Sequence, residues 1–269
     1  MGEAFMISNA HQLPSIRNRI LTTLSLQDFD PLRPLLQSVL LEDGCVLSEH
    51  GKRIEYVNFV ETGLVSLMTL ASGSMLETAM VGFHGAVGAS VVLGAKTSMH
   101  RSVVSIPGKA WRIRVEDLQR VTGERPQIRE HLLRYLESLM IHGSQTALCG
   151  VRHELSRRLA CWLCLACESL GSETVSITHD HLSFIMGLRR AGVTEALTRF
   201  EEVGLVRKSR GVLQVRDRLP LQRHACGCYE VIARSYGWRR SESGSCDVPS
   251  SVLINGLPAR QDFLGDPRS

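Results

Sequence analysis

The residues whose types and spacing carry chemistry lie between Thr178 and Val215. Starting a helix near Arg190 puts Val193, Leu197 and Phe200 on one apolar stripe. It leaves Arg190, Ala191, Thr194, Glu195, Thr198 and Arg199 facing outward. One face packed into the protein and one polar, partly cationic face left over is what reading base edges in a groove requires. Behind this helix, Leu205 to Val215 runs from apolar residues through a basic Arg207-Lys208-Ser209-Arg210-Gly211 turn and back through Val-Leu-Gln-Val. That pattern predicts a two-stranded wing with cations at its tip.

Positioning such a face needs a second helix close by. Thr178 and Asp180 are cap-type residues, so a short helix is predicted to begin there and run to Met186, with Gly187 ending it. Small Ser183 suits the close crossing of two helices. Two short helices joined by a glycine turn describe a helix-turn-helix, whose second helix enters the major groove. The competing reading is an ordinary helix pair with a solvated face, and the basic wing argues against it.

The chain has 269 residues, enough for one or two domains with adequate cores, and 43% hydrophobic with 22% charged residues is ordinary for a globular protein. A net charge of +4 only weakly favours a polyanion, so the local clustering of cations at Arg189–Arg190 and Arg207–Arg210 carries more weight. No apolar run reaches membrane-span length and no signal pattern opens the chain, so no membrane partner and a cytoplasmic location are expected. The cysteines are Cys45, Cys149, Cys161, Cys164, Cys167, Cys226, Cys228 and Cys246. In a reducing compartment they are expected to be small packing thiols, with no metal site and no cofactor.

Residues 1–36 are expected to form a lead-in helix, with Ile16, Ile20 and Leu24 at helical spacing before Pro31 and Pro34. Residues 37–120 change to short apolar stretches separated by turn signals. Expected strands are Val39–Leu41, Tyr56–Val60, Leu64–Leu70, Leu76–Val81, Val87–Val91, Ser102–Ile106 and Ala110–Val115, which together indicate a sandwich or barrel. Residues 121–150 hold a long helix, in which Ile128, Leu132, Tyr135 and Leu139 make a 4-3-4 seam suited to pairing with a second copy. Residues 151–236 then hold a helix to Leu170, the helix-turn-helix, the wing and a further helix over Leu221–Tyr236. Residues 237–269 lack periodicity and are expected to be a disordered tail.

A β domain, a seam helix and a winged helix-turn-helix in this order resemble the Crp/Fnr family of bacterial transcription regulators over roughly Leu32 to Ile232. The sharpest pieces are Tyr56 to Ser66, Met80 to Ala89 and the winged helix itself. The resemblance implies an α+β fold: an N-terminal β-roll (jelly-roll-like) sensor domain, a long dimerisation helix and a C-terminal winged helix-turn-helix. It implies a homodimer on a two-fold symmetric double-stranded DNA operator, with RNA polymerase as a further partner. Matching through Val193 puts Arg190, Ala191 and Glu195 at the family's base-reading positions, with Thr194 beside them. Arg190 would take guanine, Ala191 would meet thymine's methyl and Glu195 would accept from cytosine. Thr178, Arg189, Arg199, Lys208 and Arg210 fall where phosphate contacts are expected.

The chain also departs from the family pattern. Cyclic-AMP-responsive members carry Gly-Glu-Leu where this chain has Gly85-Ala86-Val87, so the ribose-binding carboxylate is missing. Arg101-Ser102 matches the phosphate position, leaving Gly85, Ala86, Arg101 and Ser102 as a weak pocket for an unidentified small-molecule effector. No cysteine precedes Cys45, so the N-terminal iron–sulfur design is absent. Cys161, Cys164 and Cys167 line one side of a helix and Cys226 and Cys228 add two more, leaving a redox-responsive thiol cluster as a further option. An alternative function is a β-roll sensor acting through protein–protein contacts. An enzyme is not expected, since His84 and His100 stand alone, no phosphate loop or nucleophile elbow appears, and no catalytic residue is singled out.

Overall fold

The computed structural model describes residues 16–71 and 73–238. The lead-in is two short helices, α1 (Arg19–Thr22) and α2 (Leu26–Phe29). Asn18 anchors it: its backbone N–H donates to Glu61, and its side-chain amide donates to the Val60 and Gly85 carbonyls at 2.8 and 2.9 Å. Residues 1–15 and most of the expected tail lie outside the described residues.

The β-roll is an antiparallel sheet in the order β1 (Gln37–Leu41), β6 (Arg101–Arg114), β3 (Tyr56–Ala71), β4 (Ser74–Val81), with β2 (Val46–Ser48) on β6 and β5 (Ala86–Val87) on β3. Sequence reading expects two strands each where β3 and β6 run unbroken. The turn signals at Thr62-Gly63 and Pro107-Gly108 lie opposite one another, where the β3–β6 register shifts as bulges. A glycine in a bulge has the same sequence signature as one in a turn. The expected strand Val87–Val91 is likewise corrected: only its first residue is in a strand, and Ala89–Leu93 form a 3-10 helix.

From the roll the chain passes through α3 (Val115–Glu124) into α4 (Pro126–Arg152), with Pro126 in the first turn, where its missing N–H costs nothing. The expected seam turns inward. Ile128, Leu132 and Tyr135 are buried and Leu139 packs beside them, all against the chain's own roll and lead-in. The apolar side chains that α4 leaves to solvent are others, chiefly Met140 at 70% and Val151 at 84% exposure.

α5 (Leu155–Leu170) carries Leu159, Trp162 and Leu163 into a core shared by both halves of the molecule. Leu64, Met68, Met80 and Ile106 of the roll join Val193, Leu197 and Phe200 of the reader module in one apolar cluster. The halves meet most tightly at Gly82, where a Cβ would fall 1.9 Å from the Ser169 carbonyl oxygen. Next door, the Phe83 N–H donates to that oxygen at 3.1 Å. A short strand, β7 (Thr174–Val175), leads into the reader and pairs with the wing. After the wing, the single helix expected over Leu221–Tyr236 is two, α8 (Arg218–His224) and α9 (Cys228–Ser235), broken at Ala225-Cys226-Gly227. Among the described residues no helix is long and apolar enough to cross a membrane.

Candidate nucleic-acid interface

Thr178 caps α6 (His179–Met186), its hydroxyl oxygen accepting the His181 N–H at 3.1 Å. Gly187 closes the helix at φ 60°, and Arg158 of α5 donates to the last-turn Met186 carbonyl at 3.0 Å. α7 (Arg190–Glu202) follows after the three-residue turn Gly187-Leu188-Arg189. Its Val193, Ala196, Leu197 and Phe200 are buried, whereas Arg190, Ala191, Thr194, Glu195 and Arg199 are exposed together on the opposite face. The wing is β8 (Val206–Ser209) and β9 (Val212–Val215), paired in register from Val206–Val215 to Ser209–Val212.

The four expected base-reading residues, Arg190, Ala191, Thr194 and Glu195, thus form one open surface. Two carry tethers that sequence reading does not supply. The Arg190 Nε is 2.7 Å from Asp180 Oδ1, and Thr194 Oγ1 is 3.1 Å from His179 Nδ1, so both contacts tie α7 to the start of α6. Glu195 pairs with Arg199 one turn on at 3.2 Å. Burial lowers the pKa of His179, with Lys208 and Arg190 adding to the effect and Asp180 opposing it.

The expected phosphate contacts divide. Arg189, just before α7, and Arg210, at the wing tip, are exposed and make no ion pair among the described residues. Arg199 is exposed but shared with Glu195. Lys208 is committed inward, its ammonium 3.1 Å from Glu201 and 2.9 Å from Thr198 Oγ1, so it fastens the wing to α7. Glu201 also accepts the Lys208 N–H at 2.8 Å, and these bonds hold its carboxyl below the usual range.

The residues of the suggested effector pocket pair at two separate positions along β3. Ala86 pairs with Phe59 of β3, while Arg101 pairs with Met68, nine residues further along the same strand. Gly85 lies against Tyr135, Ala86 is buried, Arg101 faces Glu49 at 3.4 Å, and Ser102 accepts a hydrogen bond from Ser48 at 2.8 Å. A cavity of about 400 Å³ lies instead between β4, the end of α4, α5, α6 and α9.

Beside that cavity a polar chain crosses from the roll to the reader, and sequence reading misses it. The Trp162 indole N–H donates to Glu77 Oε1 at 2.6 Å, and the Ser66 hydroxyl donates to the other carboxyl oxygen. Ser66 is 2.6 Å from the Ser105 hydroxyl, which is 3.3 Å from Nε2 of His181 in α6. Complete burial pushes the Glu77 carboxyl up to about 7 against the lowering effect of the two donors. A lone glutamate among alternating strand residues carries no sequence signal for such a partner.

Residues 157–224 match the family model of the Crp-like helix-turn-helix domain. No curated protein matches the chain. Among solved structures, FixK2 of Bradyrhizobium japonicum superposes with a TM-score of 0.61 at 17% identity, covering 71% of this chain and 98% of its own. CLP, the c-di-GMP responsive global regulator of Xanthomonas campestris, gives a TM-score of 0.59 at 13% identity, covering 72% and 100%. A Crp/Fnr-family transcriptional regulator of Thermus thermophilus gives 0.56 at 19%, covering 70% and 98%. At these identities the likeness is one of fold.

Proposed function

We propose that this chain, whose residues 157–224 match the Crp-like helix-turn-helix domain and whose fold is that of Crp/Fnr regulators, is a transcription regulator that binds a two-fold symmetric operator as a homodimer. The observation that carries the reading is the outer face of α7, where Arg190, Ala191, Thr194 and Glu195 are exposed together above a fully packed inner face. Arg190 reads guanine, Ala191 meets a thymine methyl and Glu195 accepts from cytosine. Arg189, Arg199 and Arg210 hold the backbone, with the N-terminus of α6 beside them.

Dimerisation uses the side of α4 that the roll does not cover. Met140 and Ala147 follow at a seven-residue step with Leu148 and Val151 alongside, all exposed, a coiled-coil spacing on an outward face. Two recognition helices carried on paired α4 helices meet half-sites one helical turn apart. Control by the roll reaches the reader through the shared core and the Glu77–Trp162 contact. The protein works in the cytoplasm, where its DNA lies.

A random pool of duplexes, enriched by rounds of binding to the purified protein, tests this. Palindromic sites with half-sites one turn apart are expected. Arg190→Ala should cost about 1–3 kcal/mol on the selected site and relax preference at a single base position per half-site. Uniform weakening on every sequence would move base reading to another residue. A monomer with no palindrome preference would end the proposal.

A further inference from the structure

Away from the DNA-facing surface, four metal-ligating side chains converge where the long helix ends. Cys149 and His153 are four residues apart, at the last turn and cap of α4, so they project from one side. Cys226 lies in the break between α8 and α9, and Cys228 opens α9. The ligand atoms of all four residues lie within 4.8 Å of one another. Cys149 Sγ is 3.3 Å from Cys226 Sγ, and Cys228 Sγ is 3.7 Å from His153 Nδ1.

Those separations come within about 0.5 Å of the edges of a coordination tetrahedron. Metal–sulfur bonds of about 2.3 Å and metal–nitrogen bonds of about 2.0 Å put neighbouring ligand atoms roughly 3.5–3.8 Å apart. We propose that Cys149, His153, Cys226 and Cys228 form a Cys3His site for a zinc-class divalent cation, which staples the end of α4 to the α8–α9 junction.

The backbone around the site favours both partners. The C-terminal end of α4 carries the negative pole of its helix, which suits a cation. Cys228 opens α9, where the positive pole and free N–H groups suit thiolates. Cys149, Cys226 and Cys228 are buried, and Cys149 and Cys228 line the cavity of about 400 Å³ that gives an ion a way in. Cys161 of α5 stands behind them in contact with the Cys149 and Cys226 thiols. Simple packing explains Cys164 and Cys167, which sit among the apolar residues of one helix. It does not explain a histidine ring turned onto thiols from a different part of the chain. Binding replaces the three thiol protons with the cation and releases them to solvent.

This site does not depend on DNA binding, and its test is separate. The reduced full chain is titrated with zinc alone and, in parallel, with cobalt as a spectroscopic substitute. One ion per chain is expected, together with the intense visible and sulfur-to-cobalt absorption of a tetrahedral thiolate site. Cys226→Ser and Cys228→Ser should each weaken zinc about 100-fold or more, beyond what loss of an outer-shell partner costs. Cys45→Ser, at an exposed thiol outside the cluster, should bind zinc like the parent. Because the buried thiols also pack, His153→Ala supplies a variant at a half-buried position: it should keep the parent's helical circular dichroism while shifting the cobalt bands and weakening zinc. No zinc uptake by the reduced parent overturns the site. So does uptake that survives both Cys226→Ser and Cys228→Ser, or cobalt bound without the sulfur band.

Discussion

In the free chain the Arg190 guanidinium is 2.7 Å from Asp180 through its Nε, so under the proposed base reading Asp180 competes with a guanine edge for that fork. Both side chains are more than half exposed, so the pair is worth under about 1 kcal/mol and opening it costs little. It orients Arg190 before DNA arrives and gives way when a base competes. Glu77 is a residue of the opposite kind, sealed from water with its carboxyl pushed up to about 7. The folded chain therefore keeps a proton that the unfolded chain, at the ordinary value of 4.5, gives up. The stabilisation is fully present below about pH 4.5 and is lost as pH rises through about 7, at most about 3 kcal/mol in all. Glu77→Gln copies the protonated form and keeps an acceptor for the Trp162 N–H. Its melting temperature relative to the parent, measured from pH 5 to pH 8.5, should be equal at the acid end and higher at the alkaline end. A constant difference across the range would show that Glu77 ionises as it does in water.

At the scale of elements, α4 presents two apolar faces that do different work. Leu132 is buried in the chain's own core, so Leu132→Ala should cost about 2–5 kcal/mol of folding stability. Met140 and Val151 lie on the free face, so Met140→Glu with Val151→Glu should leave each chain folded and shift sedimentation from dimer to monomer. The sequence pattern could not separate these faces, because Leu133, Leu136 and Met140 run beside Ile128, Leu132 and Tyr135, and periodicity does not say that the roll covers Leu133 and Leu136 but leaves Met140 free. The reader was legible for the converse reason. Thr178, Gly187, the apolar stripe of α7 and the basic wing turn are local signals within one short stretch, and each element's type follows from its own residues. In the roll, the glycines of the β3 and β6 bulges imitated turns and divided two long strands into four. The pocket inferred from Gly85 and Arg101 came from order along the chain, which does not show where on β3 each of them pairs. Cys149 and His153 can be seen as a helical pair in the sequence, but only folding delivers Cys226 and Cys228 to them.

At the scale of the whole molecule, DNA binding should be steeply salt-dependent, and the slope counts the chains engaged. Each phosphate contact contributes about 0.9 to the slope of log affinity against log salt. Arg210→Ala removes the exposed wing-tip cation, so a dimer with both wings engaged should lose about 2 from its slope and a single bound chain about 1. The roll and the reader are further bound into one body by the seat of Gly82 on Ser169, where no side chain fits. A single methyl group there would act as a chock, prising the sensor off the reading head while every DNA-facing residue stays as it was. If Gly82→Ala recognises the same operator as the parent but with the roll and the winged helix no longer unfolding together, the bare backbone at that point is the clutch that joins them.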